Sequence, residues 1–183
     1  MIKEKYFPTV IYGEDLTLDN NVLSQNIIEW SKQNKGLKKT NIKGWHSPTD
    51  MAIKPEYNNL TQSILNMAVK VFDEELIARK PIIGNMWANI NYLSAHNKPH
   101  THPNSFFSGV YYVKTPNDCG RLTLEDPRPG PQHLMPVKKP GTLPKDFWKT
   151  LFIEPKEGRL IIFPSWLWHS VEENKSFNDR ISV

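Results

Sequence analysis

Apolar residues along this chain change their period near residue 80. Over residues 20–33, Val22, Leu23, Ile27, Ile28 and Trp30 recur at roughly helical spacing. A second helix is predicted over residues 55–78. Pro55 suits a first helical turn, and Leu60, Ile64, Met67, Val71 and Phe72 fall on one face. Both helices are amphipathic, so each should cover a flat apolar surface. Residues 6–12 alternate well enough for a strand, and Pro8 places it at a sheet edge. Beyond Lys80 the period becomes two. Strands are predicted over residues 86–93, 106–113, 121–124, 151–153, 159–163, 169–171 and 180–183, with turn residues at 116–120, 126–131 and 155–158.

Helices first and many short strands afterwards describe an α+β protein whose β part is a sandwich or jelly roll. No repeat or linker divides the chain, so residues 1–183 are expected to form one domain. Residues 127–149 carry little pattern, and so long a loop in a compact domain usually serves function as a lid. The last predicted strand runs to Val183, so the natural protein is expected to continue beyond it.

Composition narrows the picture modestly. Fifteen prolines and six tryptophans suit a loop-rich β protein better than a helical bundle. No apolar run is long enough for a membrane span, and charges interrupt the first ten residues where a secretory signal would need an apolar core. Cys119 is the only cysteine, which excludes an internal disulfide and a thiolate metal cluster and fits a reducing cytoplasm. Net charge is +4, with one tight basic cluster at Lys32, Lys35, Lys38, Lys39 and Lys43. Its polar neighbours read as a solvated loop, and without a nucleic-acid module nearby no nucleic-acid partner is expected.

The candidate chemistry lies in the histidines: His46, His96, His100, His102, His133 and His169. In extended chain, residues two apart share a face, so His100-Thr-His102 sets two imidazoles side by side. His169, which follows Pro164-Ser-Trp-Leu-Trp168 after an apolar strand, is the candidate third ligand, on a return strand that a jelly roll lays beside the first. His96 is expected in solvent and His133 in the lid. Arg180 and Ser182 share a strand face, so a guanidinium and a hydroxyl can converge inside the barrel, where a buried arginine needs an anion. A dicarboxylate would supply it through a bidentate pair. The competing assignment pairs Arg180 with Glu172, Glu173 or Asp179 at the surface. Trp166, Trp168 and Phe107 are expected mainly to pack the core, and Trp45 with His46 to pin the helical layer to a sheet.

Gly44-Trp-His-Ser47, Trp87-Ala-Asn89, His100-Thr-His-Pro103, Ser108-Gly-Val-Tyr-Tyr112, Glu125-Asp-Pro-Arg128, Phe163-Pro-Ser-Trp-Leu167, His169 and Arg180-Ile-Ser-Val183 span nearly the whole chain. In this combination the sequence resembles the 2-oxoglutarate/Fe(II) oxygenases of marine bacteria and their phages. The resemblance implies a double-stranded β-helix, the jelly-roll core, with the N-terminal helices packed on one sheet. It implies Fe(II) at His100, His102 and His169, and 2-oxoglutarate as co-substrate bound by Arg180 and Ser182. Asn89 and Asn91 lie where the wider superfamily often contacts that oxoacid. The implied reaction is that of a dioxygenase, consuming O2 and typically hydroxylating a substrate, in the cytoplasm or in a host's cytoplasm if phage-encoded.

One feature departs from that superfamily, which normally shows His-x-Asp or His-x-Glu. Here His102 holds the carboxylate's place, leaving the metal more positive. Three histidines are preferred as the ligand set. Asp126, the alternative, lies on another segment beside Pro127. A three-histidine cupin dioxygenase or isomerase that does not use 2-oxoglutarate is the first competing function, although no Glu follows His102 where the first cupin motif places one. A metal-free jelly-roll binding module is the second. The substrate, whether small molecule or protein side chain, is not encoded in a readable motif, and edge strands of such folds often pair into homodimers.

Overall fold

The computed structural model describes residues 1–2, 4, 6–129, 139–141, 145 and 148–183. His133 and most of the predicted lid lie outside these residues. Helix α1 (Asn20–Gln33) has the predicted bounds, because Asp19 caps it by accepting a hydrogen bond from the Val22 N–H at 3.1 Å. Pro55 opens a short 3-10 turn (Pro55–Tyr57) that leads into α2 (Asn58–Glu74). The predicted continuation to residue 78 does not form. Leu76 turns into the left-handed region at φ 54°, which an α-helix cannot absorb.

Eleven strands follow the described chain: β1 (Tyr12–Asp15), β2 (Asn41–Ile42), β3 (Trp45–His46), β4 (Asn89–Asn91), β5 (His96–His100), β6 (Phe107–Lys114), β7 (Leu122–Glu125), β8 (Thr150–Ile153), β9 (Arg159–Pro164), β10 (His169–Val171) and β11 (Arg180–Ser182). The edge strand expected over residues 6–12 instead begins at Tyr12, since Phe7 sits at φ 58° and Pro8 has no N–H to offer. They form two antiparallel sheets, ordered β1-β9-β6-β11-β4-β3 and β2-β5-β10-β7-β8, the two walls of a double-stranded β-helix.

Period-two alternation sorts the large sheet's side chains into two layers. Leu160 and Ile162 of β9, Tyr111 and Val113 of β6, and Ile181 of β11 pack with Leu23 and Ile27 of α1 and Leu60, Met67 and Val71 of α2. Each such fully buried aliphatic side chain contributes about 1.5–3 kcal/mol. Tyr111 also ties the layers directly, its hydroxyl donating to Asn20 Oδ1 at 2.6 Å. Ile161 and Phe163 face the other way, toward Leu122, Leu124 and Leu167. The helices thus cover one sheet face and leave the barrel interior to the other. Among the described residues no helix is long and apolar enough to cross a membrane.

Candidate metal centre

Strands β5 and β10 are hydrogen-bonded neighbours, and their register sets His100 directly opposite His169. His102 lies just past the end of β5. Its N–H donates to the Ser165 carbonyl at 3.0 Å, and Ser165 Oγ donates in turn to the Ser105 carbonyl, which ties the 102–105 loop to the β9–β10 turn. Ring centroids stand 4.2 Å apart for His100 and His169, 4.9 Å for His102 and His169, and 4.9 Å for His100 and His102. A ligand nitrogen from each lies within 4.8 Å of the others. Nε2 of His102 and Nε2 of His169 face each other at 3.1 Å. Two imidazole nitrogens bound at right angles to one ion, each about 2.1 Å from it, are about 3 Å apart. The cluster therefore fits an open-faced divalent metal.

Hydrogen bonds settle which nitrogens are available. His169 Nδ1 lies 2.9 Å from the Leu167 carbonyl, and His100 Nδ1 lies 2.7 Å from the Lys98 carbonyl. A carbonyl only accepts, so both Nδ1 atoms carry the proton and both Nε2 atoms keep a lone pair. Burial holds His102 and His169 down to about 4, with neighbouring imidazoles adding to the effect, and lowers His100 as well. All three rings are thus neutral at neutral pH, the state in which an imidazole can bind a metal.

The same depression carries a stability consequence. Unfolded histidine titrates near 6.5, so between pH 6.5 and 4 the unfolded chain binds protons that the folded chain refuses. Stability is fully present above that window and drains as pH falls through it. Metal-free protein should melt at clearly lower temperature at pH 4.5 than at pH 7.5, by a loss on the order of a few kcal/mol. His169→Asn should flatten the profile within that window. The paired carboxylates of Asp126 and Glu172 are also held below their usual range, so their contribution too is lost as pH falls, adding to the histidine effect at the acid end.

Along the large sheet, the register aligns Arg180 with Asn91 and Ser182 with both Asn89 and Tyr112, so all five side chains share the inner face. Arg180 is 2% exposed. Its Nη2 donates to Asn91 Oδ1 at 3.2 Å and its Nη1 to the Gly120 carbonyl at 3.3 Å, while Nε has no acceptor. None of these partners is a carboxylate, and burial pushes the guanidinium below its usual value. The acid expected to compete for it, Glu172, is bonded to Arg121 at 2.6 and 2.8 Å. Asn89 Oδ1 and the Tyr112 hydroxyl are likewise buried without partners. A cationic fork, a hydroxyl and a carboxamide left unsatisfied in one barrel interior describe a receptor for an anion.

Gly120 supports this end. At φ 83°, a Cβ there would stand 2.3 Å from the Glu172 carbonyl oxygen. Gly120→Ala should cost about 1–3 kcal/mol or more in a thermal or denaturant melt, and should loosen Arg180 by displacing the carbonyl it bonds.

The other predicted residues divide. Asp126, the alternative ligand, turns its carboxylate to Arg128 at 2.8 and 2.9 Å and lies outside the imidazole cluster. His96 is half-buried at the start of β5 opposite Ile42, rather than in solvent. Trp166 and Trp168 are 55% and 54% exposed, so they do not pack the core; the tight turn after Pro164 carries them outward. Phe107 does pack there, against Phe72. The lysines from Lys32 to Lys43 are exposed as expected, although Lys32 sits in the last turn of α1 rather than in a loop. Trp45 packs edge-on to Trp30 in the helical core, but His46 points the opposite way. Its ring stacks on Trp87 at 5.3 Å and 8°, and Trp87 in turn packs against His102 at 5.4 Å. The alternation of β3 explains the division, since adjacent strand residues face opposite sides. Tyr112 was not singled out as a site residue; only its place two along from Val110 on an apolar-looking strand was visible.

Residues 85–183 match the family model described as "Putative 2OG-Fe(II) oxygenase". No curated protein matches the chain in sequence. Among solved structures, a Pseudomonas putida prolyl-4-hydroxylase superposes with a TM-score of 0.64 at 12% identity, covering 95% of this chain and 89% of that one. HygX from Streptomyces hygroscopicus, solved with nickel and 2-oxoglutarate bound, gives 0.61 at 9% identity over 95% and 80%. A prolyl hydroxylase from Trichoplax adhaerens, in complex with a hypoxia-inducible-factor peptide fragment, gives 0.57 at 16% identity over 94% and 80%. At such identities these likenesses establish the fold. The family match spans more than half of the sequence, and it ends on the strand that carries Arg180. This chain belongs to the 2-oxoglutarate/Fe(II) oxygenase family.

Proposed function

We propose that this protein is a hydroxylase in which His100, His102 and His169 hold Fe(II), and Arg180 holds the distal carboxylate of 2-oxoglutarate. Bound together, these two supply the activation of O2, with the overall balance R–H + O2 + 2-oxoglutarate → R–OH + succinate + CO2. The chain's own work is to bind, orient and keep dry. Nδ1 hydrogen bonds to Leu167 and Lys98 aim the two Nε2 lone pairs. Phe163 packs against His169 at 4.9 Å, and Trp87 shields His102. The guanidinium of Arg180 would take the carboxylate as a fork, with Ser182, Tyr112 and Asn89 offering further polar atoms and Asn91 bracing the fork from behind. We read the compartment as cytoplasm, where Cys119 stays reduced, and keep small molecules and protein side chains as substrate classes and a homodimer as the assembly.

The carrying observation is the buried guanidinium, fully inside the barrel and lacking any carboxylate partner among the described residues. A cupin that uses only the metal has no need of it. Anaerobic Fe(II) titration with and without 2-oxoglutarate tests the reading, followed by a succinate assay in air without added substrate. One equivalent of metal should bind, and 2-oxoglutarate should add a visible charge-transfer band. An unchanged spectrum would favour the three-histidine cupin. Failure to bind Fe(II), Co(II) or Zn(II) above background would leave only the binding module.

A further inference from the structure

The three histidines of the metal centre are not held alike. His100 and His169 each lie on a strand, and each gives its Nδ1–H to the carbonyl two residues before it, Lys98 and Leu167. His102 lies past the end of β5, where the chain turns through Pro103 and Asn104, the latter at φ 67°. Its backbone N–H is fixed on the Ser165 carbonyl at 3.0 Å. Its ring is held differently. Among the described residues, the hydrogen-bond and aromatic partners of that ring are all rings: His100, His169 and Trp87. Of these, only Trp87 is not itself a candidate ligand.

Trp87 is firmly anchored. On one side of it the Met86 N–H donates to the Thr49 carbonyl at 3.1 Å. On the other, the Ala88 N–H donates to Ser47 Oγ and the Ala88 carbonyl accepts from the Ser47 N–H, both at 2.9 Å. The indole lies nearly parallel to the His46 ring, at 8° and 5.3 Å. His46 cannot swing away, because it is 6% exposed, its backbone pairs with Asn89 of β4, and its Nδ1–H is given to the Ser47 carbonyl at 2.6 Å. A continuous run of rings thus leads from β3 through Trp87 to His102. Both separations fall where aromatic pairs attract, and the 53° tilt between Trp87 and His102 avoids a face-to-face clash. An outer hydrogen-bond partner raises metal affinity about 10–100-fold by fixing an imidazole before the metal arrives, and a packed ring fixes it by the same logic.

We propose that Trp87, backed by His46, is the positioning residue of His102, doing by ring packing what the Lys98 and Leu167 carbonyls do for the other two histidines. That the device serves a metal rests on the oxygenase reading; that it holds the ring does not. His46 lies outside residues 85–183, the stretch that matches the family model, so the segment around Gly44-Trp-His-Ser47 bears on the ligand set from beyond it. Ni(II) is the probe, because imidazole sites hold it more tightly than Fe(II) and weakened variants stay measurable. Trp87→Leu keeps apolar bulk without a ring and should weaken Ni(II) about tenfold. Trp87→Phe should restore the affinity to within about twofold, and His46→Leu should cost about threefold by loosening Trp87.

Coupling separates this role from plain packing. In a His102→Ala background, Trp87→Leu should change Ni(II) affinity by less than about twofold, since the ring that Trp87 positions is gone. The same loss in both backgrounds, or Trp87→Phe as weak as Trp87→Leu, would overturn the proposal. A second readout needs no metal. In the proton spectrum of the metal-free full chain, Trp87→Leu should shift and broaden the imidazole signals of His102 and leave those of His100 in place. Movement of both alike, or of neither, would overturn the proposal whatever the nickel titrations gave. If Trp87→Leu does not fold, His46→Leu carries the same two readouts. A parent chain that binds no Ni(II) would instead count against the oxygenase reading, and the ring spectrum would still decide whether Trp87 holds His102.

Discussion

Replacing His169 by alanine is expected to abolish Fe(II) binding, with affinity falling beyond the 10–100-fold that loss of an outer hydrogen-bond partner typically costs a metal site. His169 is the most enclosed of the three rings, at 5% exposure, and the one whose Nε2 meets His102 at 3.1 Å. Without it, two imidazoles remain at the end of one strand, with nothing on β10 to close the face. The measurement is thermal: metal at about 100 times its Kd should raise the parent's stability by about 2.7 kcal/mol and leave the variant's melting temperature unmoved. Metal-free His169→Ala should also lose part of the acid sensitivity between pH 6.5 and 4, since one depressed imidazole is gone. A variant that still gained stability from Fe(II) would sink the three-histidine assignment.

How much of this could be read beforehand differs from element to element. Helix α1 was legible from the apolar spacing of Val22, Leu23, Ile27, Ile28 and Trp30, whereas the Asp19 cap that fixes its first residue emerges only in the structure. His100, His102 and Arg180 were legible because period two fixes faces, and faces are all that a ligand pair or a cross-strand pair needs. The two-residue strands β2 and β3 were not, for two residues carry no alternation, and they join different sheets across Lys43 and Gly44. That omission hid His46. Read without its strand, it seemed to share Trp45's role, although the pleat turns one inward to the helical core and the other toward Trp87. Tyr112 was hidden differently. A tyrosine between Tyr111 and Val113 looks like core, and only the register with Ser182 puts its hydroxyl on the inner face. Tertiary contacts assign such residues; local pattern cannot. The same limit explains Trp166 and Trp168, whose size argued for burial while the turn after Pro164 exposes them.

Arg180 offers the sharper separation of roles, because its removal should act on the oxoacid and on stability in opposite directions. Truncating one partner of a buried, hydrogen-bonded charge pair costs about 2–5 kcal/mol of binding, so Arg180→Met should weaken 2-oxoglutarate at least about 30-fold. Iron affinity without the oxoacid should hold, since neither Asn91 nor Gly120, the acceptors of its Nη atoms, contributes a metal ligand. In the free protein the guanidinium is desolvated, its Nε lacks an acceptor, and burial already lowers its affinity for protons. Methionine fills much of the same volume without a charge, so the free variant should be as stable as the parent or more so, by up to a few kcal/mol. Adding 2-oxoglutarate should then raise the parent's melting temperature and not the variant's. An arginine kept for architecture would behave otherwise. Arg180→Met would then be destabilised throughout, and iron and oxoacid affinities would fall together.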